Sequence, residues 1–271
     1  MTPFPAVNRR PEIWLSIVTI VKDDAKGFSE TLASIASQEL SGVEWVIVDS
    51  TSQTTEVPEL LSRNNPVPEV TYLHEAPRGI YPAMNSGVAR CSGEYVYFLN
   101  AGDCLHDREV LVRVRELLSS HPAWAHGPVA IRENDGSVVI TPEWNFQSER
   151  NRCFAAGHFP AHQGTFAQVE EIRKVGGFDP KYRIAADYAM FLRLSLVALP
   201  CEIPFAVATF NSGGISSQQW QESFREFHRA RREILKPRGL RALREQWETR
   251  RHFALVYAHR EVRPRLSWGM K

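Results

Sequence analysis

Alternating strand-like and helix-like segments over the first hundred residues constrain the fold of this chain more than any other feature. Apolar runs typical of buried strands begin at Ile13, Glu44, Val70 and Tyr95, and segments with apolar residues at helical spacing separate them. This alternation predicts a parallel sheet whose strands are joined by right-handed helical crossovers. We therefore predict an α/β fold with a mostly parallel central sheet flanked by helices.

Three of these predicted strands end in polar residues that include carboxylates. The three ends are Lys22-Asp23-Asp24, Asp49-Ser50 and Asn100-Ala101-Gly102-Asp103. Because the carboxyl ends of parallel strands meet at one edge of a sheet, we expect these groups to lie together where such sheets bind ligands. Taken alone, the Asn100–Asp103 corner fits an ordinary turn better, since Asn, Gly and Asp are common turn residues.

The sequence contains neither of the common glycine-rich phosphate loops, Gly-x-x-x-x-Gly-Lys and Gly-x-Gly-x-x-Gly. Kinase, ATPase and dehydrogenase functions are therefore disfavoured. A hard cation held by carboxylate oxygens and bridging substrate phosphates is the usual alternative. The sequence thus favours a nucleotide and metal site at the carboxylate edge.

The pattern changes after residue 104. A hairpin is predicted around Asn134-Asp135-Gly136, residues 141–165 are expected to be irregular, and helices are predicted over 169–175 and 184–199. A strand over 206–210 leads to Gly213-Gly214, which we interpret either as a plain turn or as a flap over the site.

Charge is distributed unevenly along the chain. The whole chain carries a formal net charge of +1, but residues 218–271 carry +8 and residues 1–217 carry −7. The basic segment is predicted to be helical, with aromatic residues among its arginines. It is either a solvated surface or an amphipathic face that contacts anionic lipid at the inner face of the membrane. Nucleic-acid binding is disfavoured, because the main domain is acidic and no known motif is present.

The four cysteines are scattered, and no stretch has the length of a signal-peptide core or of a membrane span. We therefore expect a cytoplasmic protein. The predicted organisation is a flexible lead-in over 1–13, a domain over 14–217 with a nucleotide-binding half (14–103) and an acceptor half (104–217), and a basic helical extension over 218–271.

Several motifs, taken in order, resemble the family 2 glycosyltransferases of the GT-A fold, in particular those of colanic-acid and glycolipid biosynthesis. The resemblance covers roughly residues 14 to 216. It is carried by Ser16-Ile17-Val18-Thr19, Val46-Ile47-Val48-Asp49-Ser50, Arg78-Gly79-Ile80-Tyr81, Gly93–Asp103, His162-Gln163, Gly176-Gly177-Phe178-Asp179 and Tyr182–Tyr188. Each motif alone is loose, whereas their order and spacing together are specific.

The resemblance implies an inverting transferase with a nucleoside diphosphate sugar donor, a glycan or lipid-linked acceptor, and Mg²⁺ or Mn²⁺ as cofactor. It implies that Asp49 binds the base and that Asp103 binds the metal. The other nucleotide-sugar-binding positions that it implies are Thr19, Asp23, Arg78, Gly79, Asn85, Asn100 and Gly102.

The metal motif departs from the family pattern Asp-x-Asp-Asp, because Asn100-Ala101-Gly102-Asp103 retains only the last carboxylate. One carboxylate can still bind Mg²⁺ or Mn²⁺ when diphosphate oxygens and waters complete the octahedron. The degenerate motif also leaves open a noncatalytic protein that keeps the fold, as a nucleotide-sugar-binding module or scaffold.

By the same resemblance, Asp187 is the catalytic base and removes the proton of the acceptor hydroxyl as it attacks. We expect the start of a helix and Arg183 to keep Asp187 ionised. From the residues alone, Asp187 fits a helix N-cap better than a base, because Asp is favoured at that position. The predicted acceptor-binding residues are His162, Gln163, Tyr182 and Arg183.

Overall fold

The computed structural model describes residue 4 and residues 9–52, 56–141, 146–213 and 219–258. Most of the predicted lead-in, the loop beyond Gly213 and residues 259–271 of the predicted extension lie outside this part of the chain. Of the predicted flap at Gly213-Gly214, Gly213 is described and Gly214 lies outside the described residues.

The first half of the chain alternates strands and helices as the sequence predicts. Its elements are β1 (Leu15–Val21), α1 (Ala25–Ala36), β2 (Val43–Asp49), α2 (Glu56–Asn64), β3 (Glu69–His74), α3 (Ile80–Val88) and β4 (Tyr95–Phe98). Asp24 caps α1, because its Oδ1 accepts from the Gly27 N–H at 2.8 Å. The four strands are mutually parallel neighbours in the order β4-β1-β2-β3.

The second half contains more regular structure than the sequence predicts. Residues 141–165, expected to be irregular, contain a helix and a 3₁₀ turn. The elements are β5 (Cys104–Leu105), α4 (Val110–Leu118), β6 (Trp124–His126), β7 (Val129–Arg132), β8 (Val138–Ile140), α5 (Phe146–Ala155), the 3₁₀ turn (His162–Gly164), β9 (Thr165–Gln168), α6 (Val169–Lys174), α7 (Ala186–Val197), β10 (Cys201–Glu202), β11 (Ala208–Asn211), α8 (Trp220–Leu235) and α9 (Leu240–Tyr257).

Two sheets organise these elements. The central sheet has seven strands in the order β10-β6-β9-β4-β1-β2-β3, and a smaller sheet has the order β5-β11-β7-β8. Within the central sheet, β9 runs antiparallel to both of its neighbours, β4 and β6. The central sheet is thus mostly parallel, as expected, and it continues across the predicted boundary between residues 103 and 104.

Apolar side chains from both faces of the central sheet form the core. One cluster joins the sheet to α1 and α4 and includes Trp45, which stacks on Phe28 with ring centroids 5.5 Å apart. The other joins the sheet to α3 and α7 and includes Val18. A Cβ atom on Gly87 would lie 2.4 Å from Val18 Cγ1, so this glycine allows α3 to lie directly on β1.

The described part of the basic C-terminal segment, residues 219–258, contains α8 and α9, and these helices pack against the domain. In α8, Phe227 stacks on Tyr188 of α7 with ring centroids 4.6 Å apart. Arg231 is buried; its guanidinium pairs with Glu245 and donates to the Phe154 carbonyl at 3.0 Å. Because a buried arginine is costly unless it is paired, these contacts make α8 and α9 part of the packed structure.

None of the described helices combines the length and the apolar character that crossing a bilayer requires.

A buried carboxylate joins three strands at the sheet edge opposite the predicted site. Glu44 of β2 accepts from Ser16 Oγ of β1 at 2.5 Å, and from the Ser92 N–H at 2.6 Å and the Gly93 N–H at 3.2 Å before β4. We expect Glu44→Ala to lower the free energy of unfolding by about 2 to 3 kcal/mol, because buried donors lose their acceptor. Urea denaturation measures this loss.

Glu69→Ala is the matched control, because the Glu69 carboxylate is half exposed and bonds only to Arg10 in the described structure. We expect a change within about 0.5 kcal/mol for this surface substitution. Equal losses in the two variants would contradict a special role for the Glu44 carboxylate.

Candidate functional site

The polar corner after β4 is held by one buried hydroxyl. Thr31 Oγ1 lies 2.8 Å from the Asp103 carbonyl oxygen and 3.1 Å from that of Asn100, and it accepts from the Gly102 N–H at 3.1 Å. Gly102 has a φ of 89°, in the left-handed region that favours glycine. These contacts join the backbone of the corner to α1, and they thereby position the backbone from which the Asp103 side chain extends.

The Asp103 carboxylate is partly buried beside the 3₁₀ turn. Gln163 Nε2 donates to Asp103 Oδ2 at 3.2 Å, and Tyr97 of β4 donates its hydroxyl to the Gln163 carbonyl at 2.9 Å. Burial raises the pKa of Asp103 to about 7, and the hydrogen bond from Gln163 opposes this rise. A cation near this carboxylate would favour its charged form.

Asn100 and His162 form a second pair at the same corner. Asn100 Nδ2 lies 3.1 Å from His162 Nε2, and burial lowers the pKa of His162 to about 4, so its ring is neutral at neutral pH. A neutral Nε2 can accept this hydrogen bond. His162 and Gln163, predicted to bind the acceptor, therefore contact the predicted metal motif instead.

The oxygen atoms of this corner match the ligand preference of a hard cation. Asn100 Oδ1 is buried and has no hydrogen-bond partner among the described residues, so it is an uncompensated oxygen in the same corner as Asp103. The described residues contain no cluster of three or more His, Cys, Asp or Glu side chains that could hold a metal by themselves. The residues fit a cation that takes most of its oxygen ligands from substrate and water.

Asp49 ends β2 at the same sheet edge as Asp103. Its side chain is fully buried, and it accepts from the Tyr72 hydroxyl at Oδ2 and from the Thr51 N–H at Oδ1, both at 2.8 Å. The neighbouring loop is tied to it, since Asp23 Oδ1 accepts from the Ser52 N–H at 3.1 Å. Asp23 thus joins the loops that follow β1 and β2.

Two residues predicted to contact the nucleotide have other partners. Thr19 is fully buried, where its hydroxyl donates to the Leu99 carbonyl at 2.7 Å and accepts from Trp45 Nε1 at 2.9 Å. Asn85 pairs with the backbone of Phe178, donating to its carbonyl at 2.6 Å and accepting from its N–H at 3.0 Å. In the structure, the polar atoms of both side chains are therefore hydrogen-bonded to other parts of the protein.

Arg78 and Gly79 lie on the exposed loop before α3. Arg78 Nη2 donates to Glu75 Oε2 at 2.9 Å, and Gly79 immediately precedes the first residue of α3. The Glu75 N–H donates to the Asp49 carbonyl at 3.0 Å, which ties the beginning of this loop to the end of β2. Arg78 is therefore exposed to solvent close to the carboxylate edge.

Asp187 lies in the first turn of α7, one residue inside the helix rather than at its N-cap, which is Ala185. Its Oδ1 accepts from the Tyr188 N–H at 2.7 Å and lies 3.1 Å from the Tyr81 hydroxyl, which also donates to the Ile184 carbonyl at 2.6 Å. Burial raises the pKa of Asp187 to about 6. A carboxylate with this pKa is mostly ionised at neutral pH and still accepts protons readily.

Tyr81 shows which edge of the sheet Asp187 faces. It lies in the first turn of α3, and α3 begins six residues after β3 ends, at the edge that carries Asp49. The contact between Tyr81 and Asp187 therefore brings the start of α7 to the edge formed by the ends of β2 and β4. Sequence reasoning did not select Tyr81, although it belongs to the Arg78-Gly79-Ile80-Tyr81 motif.

Tyr182 and Arg183, predicted to bind the acceptor, contact α8 instead. The buried Tyr182 donates its hydroxyl to Glu233 Oε2 at 2.7 Å. Arg183 is exposed and pairs with Glu222 at 3.1 Å. The expectation that Arg183 keeps Asp187 ionised has no support in these contacts, because the guanidinium points to another carboxylate.

The Glu226 carboxylate holds the segment that leads into α7. Its Oε1 accepts from the Arg183 N–H at 3.1 Å, and its Oε2 accepts from the N–H groups of Ile184 at 2.8 Å and Ala185 at 3.0 Å. Backbone N–H groups before a helix favour a negative charge, so this carboxylate replaces a local cap. No local sequence signal identifies Glu226, because it lies about forty residues after the amides it binds.

The comparisons with known proteins agree on the class of protein. The model of the family described as glycosyl transferase family 2 matches residues 16–175. An uncharacterized glycosyltransferase of Mycobacterium tuberculosis is 28% identical over 222 residues, with 76% of this chain and 78% of that protein covered. A protein of Mycobacterium bovis named PGL/p-HBAD biosynthesis glycosyltransferase is 29% identical over 197 residues, covering 69% of this chain and 72% of that protein.

One similar solved structure is that of the mannosyltransferase PcManGT from Pyrobaculum calidifontis in complex with GDP-Man and Mn²⁺. The similarity covers 96% of this chain and 79% of that chain, with a TM-score of 0.62 and 16% sequence identity. At this identity the similarity shows the fold. The predicted GT-A architecture is thereby confirmed.

The contacts of Glu226 generate a prediction about stability. We expect Glu226→Ala to lower the free energy of unfolding by about 2 to 3 kcal/mol, because three backbone N–H groups lose a charged acceptor. Denaturant unfolding, followed by intrinsic fluorescence, measures the loss.

Glu222→Ala on the same helix is the control, because its carboxylate is half exposed and pairs only with the Arg183 side chain among the described residues. We expect less than about 1 kcal/mol for this exposed pair. If Glu222→Ala were as costly as Glu226→Ala, the backbone contacts would not be the cause.

Proposed function

Because the chain belongs to the glycosyl transferase family 2, we propose that it transfers a sugar from a nucleoside diphosphate sugar to a hydroxyl of a glycan or lipid-linked acceptor, with inversion at the anomeric carbon. The observation that carries this proposal is the arrangement of three carboxylates. Asp49 ends β2 and Asp103 follows β4, two strands of one sheet that both run parallel to β1 between them, and Tyr81 brings Asp187 to the same edge.

The proposed donor site lies over the ends of β1 and β2. Asp49 accepts from the base, with Tyr72 and the Thr51 N–H fixing the orientation of its carboxylate. Arg78 is exposed beside this edge and supplies positive charge toward the diphosphate. Asp23, Gly79 and Gly102 border this space. Thr19 and Asn85 contribute through the fold, because their polar atoms are already bonded.

Asp103 and Asn100 are the proposed ligands for Mg²⁺ or Mn²⁺, with Asn100 Oδ1 as the uncompensated oxygen. When bound, the cation stabilises the negative charge that the departing nucleoside diphosphate gains. Gln163 and His162 orient the two ligand side chains through their hydrogen bonds. The Mn²⁺ reported with PcManGT is consistent with this choice of cation.

Asp187 is the proposed general base. Its carboxylate takes the proton of the acceptor hydroxyl while that oxygen attacks the anomeric carbon on the face opposite the leaving diphosphate, which inverts the configuration. Tyr81 and the Tyr188 N–H hold one carboxylate oxygen, so Oδ2 remains to face the acceptor. Burial supports the role, because it raises the affinity of the carboxylate for a proton.

The proposed acceptor is carried on a lipid, and we place the reaction at the inner face of a membrane, in the cytoplasm. The basic character of residues 218–271 supports this, since cationic helices bind anionic lipid surfaces. His162, Gln163, Tyr182 and Arg183 remain the proposed acceptor-binding residues; the first two also contact the metal corner, and the last two also contact α8.

A noncatalytic protein that binds a nucleotide sugar is the second candidate, and the single carboxylate of the metal motif favours it. Donor hydrolysis and transfer, assayed with Mg²⁺ or Mn²⁺, separate the two functions. Turnover above the background rate would exclude the noncatalytic protein. Donor binding with no turnover on any acceptor preparation would favour it.

The role of Asp187 gives a prediction about turnover. We expect Asp187→Asn to keep donor binding and to lose at least about a hundredfold in kcat, because general base catalysis contributes on this scale. In the unmodified protein, kcat should fall below pH 6, since the pKa of about 6 leaves Asp187 protonated there. The residual activity of Asp187→Asn should lack this acid limb.

The exposed Asp135→Asn is the control and should keep both the rate and the acid limb. Near-normal turnover of Asp187→Asn would remove Asp187 as the base.

Asp103 gives a second prediction, about donor binding. We expect Asp103→Ala to abolish the part of the donor affinity that Mg²⁺ or Mn²⁺ supplies, because the only carboxylate of the corner is lost. Calorimetric titration of the nucleoside diphosphate, with and without the cation, measures this part directly.

Asp107→Ala is the control, since Asp107 is exposed and pairs with Arg113. Unchanged metal-supported binding in Asp103→Ala would show that the metal assignment is wrong.

A further inference from the structure

Helix α9 exposes a row of large apolar side chains. Leu240 is 83% exposed, Leu243 63% and Trp247 61%. Residues spaced by three and four positions lie on one face of a helix, so these three side chains form a continuous stripe. We call Leu240, Leu243 and Trp247 the apolar stripe. A contiguous apolar surface of this kind on a folded protein indicates a contact with another apolar phase or partner.

The apolar stripe is not the face by which α9 packs on the domain. That other face contacts α8, where Phe253 packs on Trp220 and on Phe224 with ring centroids 5.6 and 5.4 Å apart. Thr249 on the same inner face is buried and accepts from Arg231 Nη2 at 2.7 Å. The inner face already anchors the helix, so the stripe is available for a different contact.

A large basic groove lies beside α9. It has a volume of about 1230 Å³, and α5, the end of α8, the turn between α8 and α9, and α9 form its walls. Seven cationic side chains and two carboxylates line it, a surplus of five positive charges. Arg231 is buried and paired with Glu245. The other six cations are exposed: Arg152, Lys236, Arg238, Arg241, Arg244 and Arg251. Two of these six also pair with carboxylates, Arg244 with Glu248 and Arg152 with Glu149.

The apolar stripe and the basic groove adjoin. Arg244 lies three residues before Trp247, and Arg251 lies four residues after it, so both arginines are on the side of the helix next to the stripe. Both also line the groove, as does Leu255, which is 56% exposed. One side of α9 therefore presents apolar side chains bordered by cations.

We propose that this side of α9 docks on the surface of a membrane rich in anionic lipid. The apolar stripe would lie at the boundary between headgroups and acyl chains, and the groove arginines would bind lipid phosphates. The pattern matches both demands of such a surface. Apolar side chains with a tryptophan enter the interface, and bordering cations bind its phosphates. The helix lies on the membrane and does not cross it, in agreement with its composition.

The proposed docking depends on the proposed function in one respect: its purpose is to bring the site to a lipid-linked acceptor. Binding to vesicles can be measured without donor, acceptor or turnover. Failure of the docking would leave a protein that still binds its donor, whereas failure of the proposed function would leave vesicle binding intact.

Vesicle flotation of the full chain tests the proposal. The probes are vesicles of phosphatidylcholine alone and of phosphatidylcholine mixed with phosphatidylglycerol. We expect recovery only with the mixed vesicles, and a decrease in recovery as salt is raised. The triple variant Arg241→Gln, Arg244→Gln, Arg251→Gln should bind about a hundredfold more weakly, since each cation near an anionic surface contributes about a factor of five. Leu243→Ser with Trp247→Ser should also lose most binding.

Controls on other surfaces make changes of the same kind with fewer substitutions. Arg63→Gln with Arg90→Gln removes exposed cations elsewhere, and Val112→Ser on α4 removes an exposed apolar side chain. All controls should float as the unmodified chain does. Every variant should keep donor binding by calorimetry, which shows that the domain remains folded.

Three results would overturn the proposal. The first is equal recovery with neutral and mixed vesicles, and the second is full recovery of either the arginine or the stripe variant. The third is tight binding of single-stranded RNA or free inorganic diphosphate together with no recovery on vesicles, because the groove would then serve a soluble polyanion.

Discussion

The geometry of the proposed site depends on one buried hydroxyl. Thr31 projects from the inner face of α1 into the corner after β4, where it contacts the carbonyl oxygens of Asn100 and Asp103 and accepts from the Gly102 N–H. This corner is partly buried, and its backbone groups need partners: the Ala101 N–H donates to the Ile20 carbonyl of β1, and the Asp103 N–H donates to the Asn100 carbonyl. Thr31 adds the contacts that join the corner to α1, so the loss of its hydroxyl would free the corner from that helix.

The same corner shows how burial sets the electrostatics of the site. Asp103 and Asp187 both have raised pKa values, and in both cases the main cause is removal from water. Keeping such carboxylates in the folded protein costs stability, which the surrounding hydrogen bonds offset only in part. Such a loss of stability is characteristic of functional residues, because a carboxylate on the surface would not lower the free energy of unfolding in this way.

Sequence reasoning located the elements and missed many partners, for a physical reason. The ends of apolar runs place Asp49 and Asp103 at one edge, because parallel strands with helical crossovers allow no other arrangement. Strands β6 and β9 were missed because their residues, Trp-Ala-His and Thr-Phe-Ala-Gln, form no continuous apolar run like the one at β4. The partners of Asn85 and Tyr182 could not be read from the sequence, since they lie 93 and 51 positions away along the chain. The roles assigned to the site residues remain predictions.

The Glu226 contacts make the C-terminal helices inseparable from the rest of the domain. A carboxylate on α8 fixes the three amides that precede Asp187, and α9 is joined to the same helix through Arg231 and Glu245. Deleting residues 218–271 would therefore remove the carboxylate that holds the Arg183, Ile184 and Ala185 N–H groups, and the proposed base Asp187 would lose the support of the segment before it. Exchanging this region between relatives meets the same constraint, because the incoming helix must place a glutamate where Glu226 lies to hold these N–H groups.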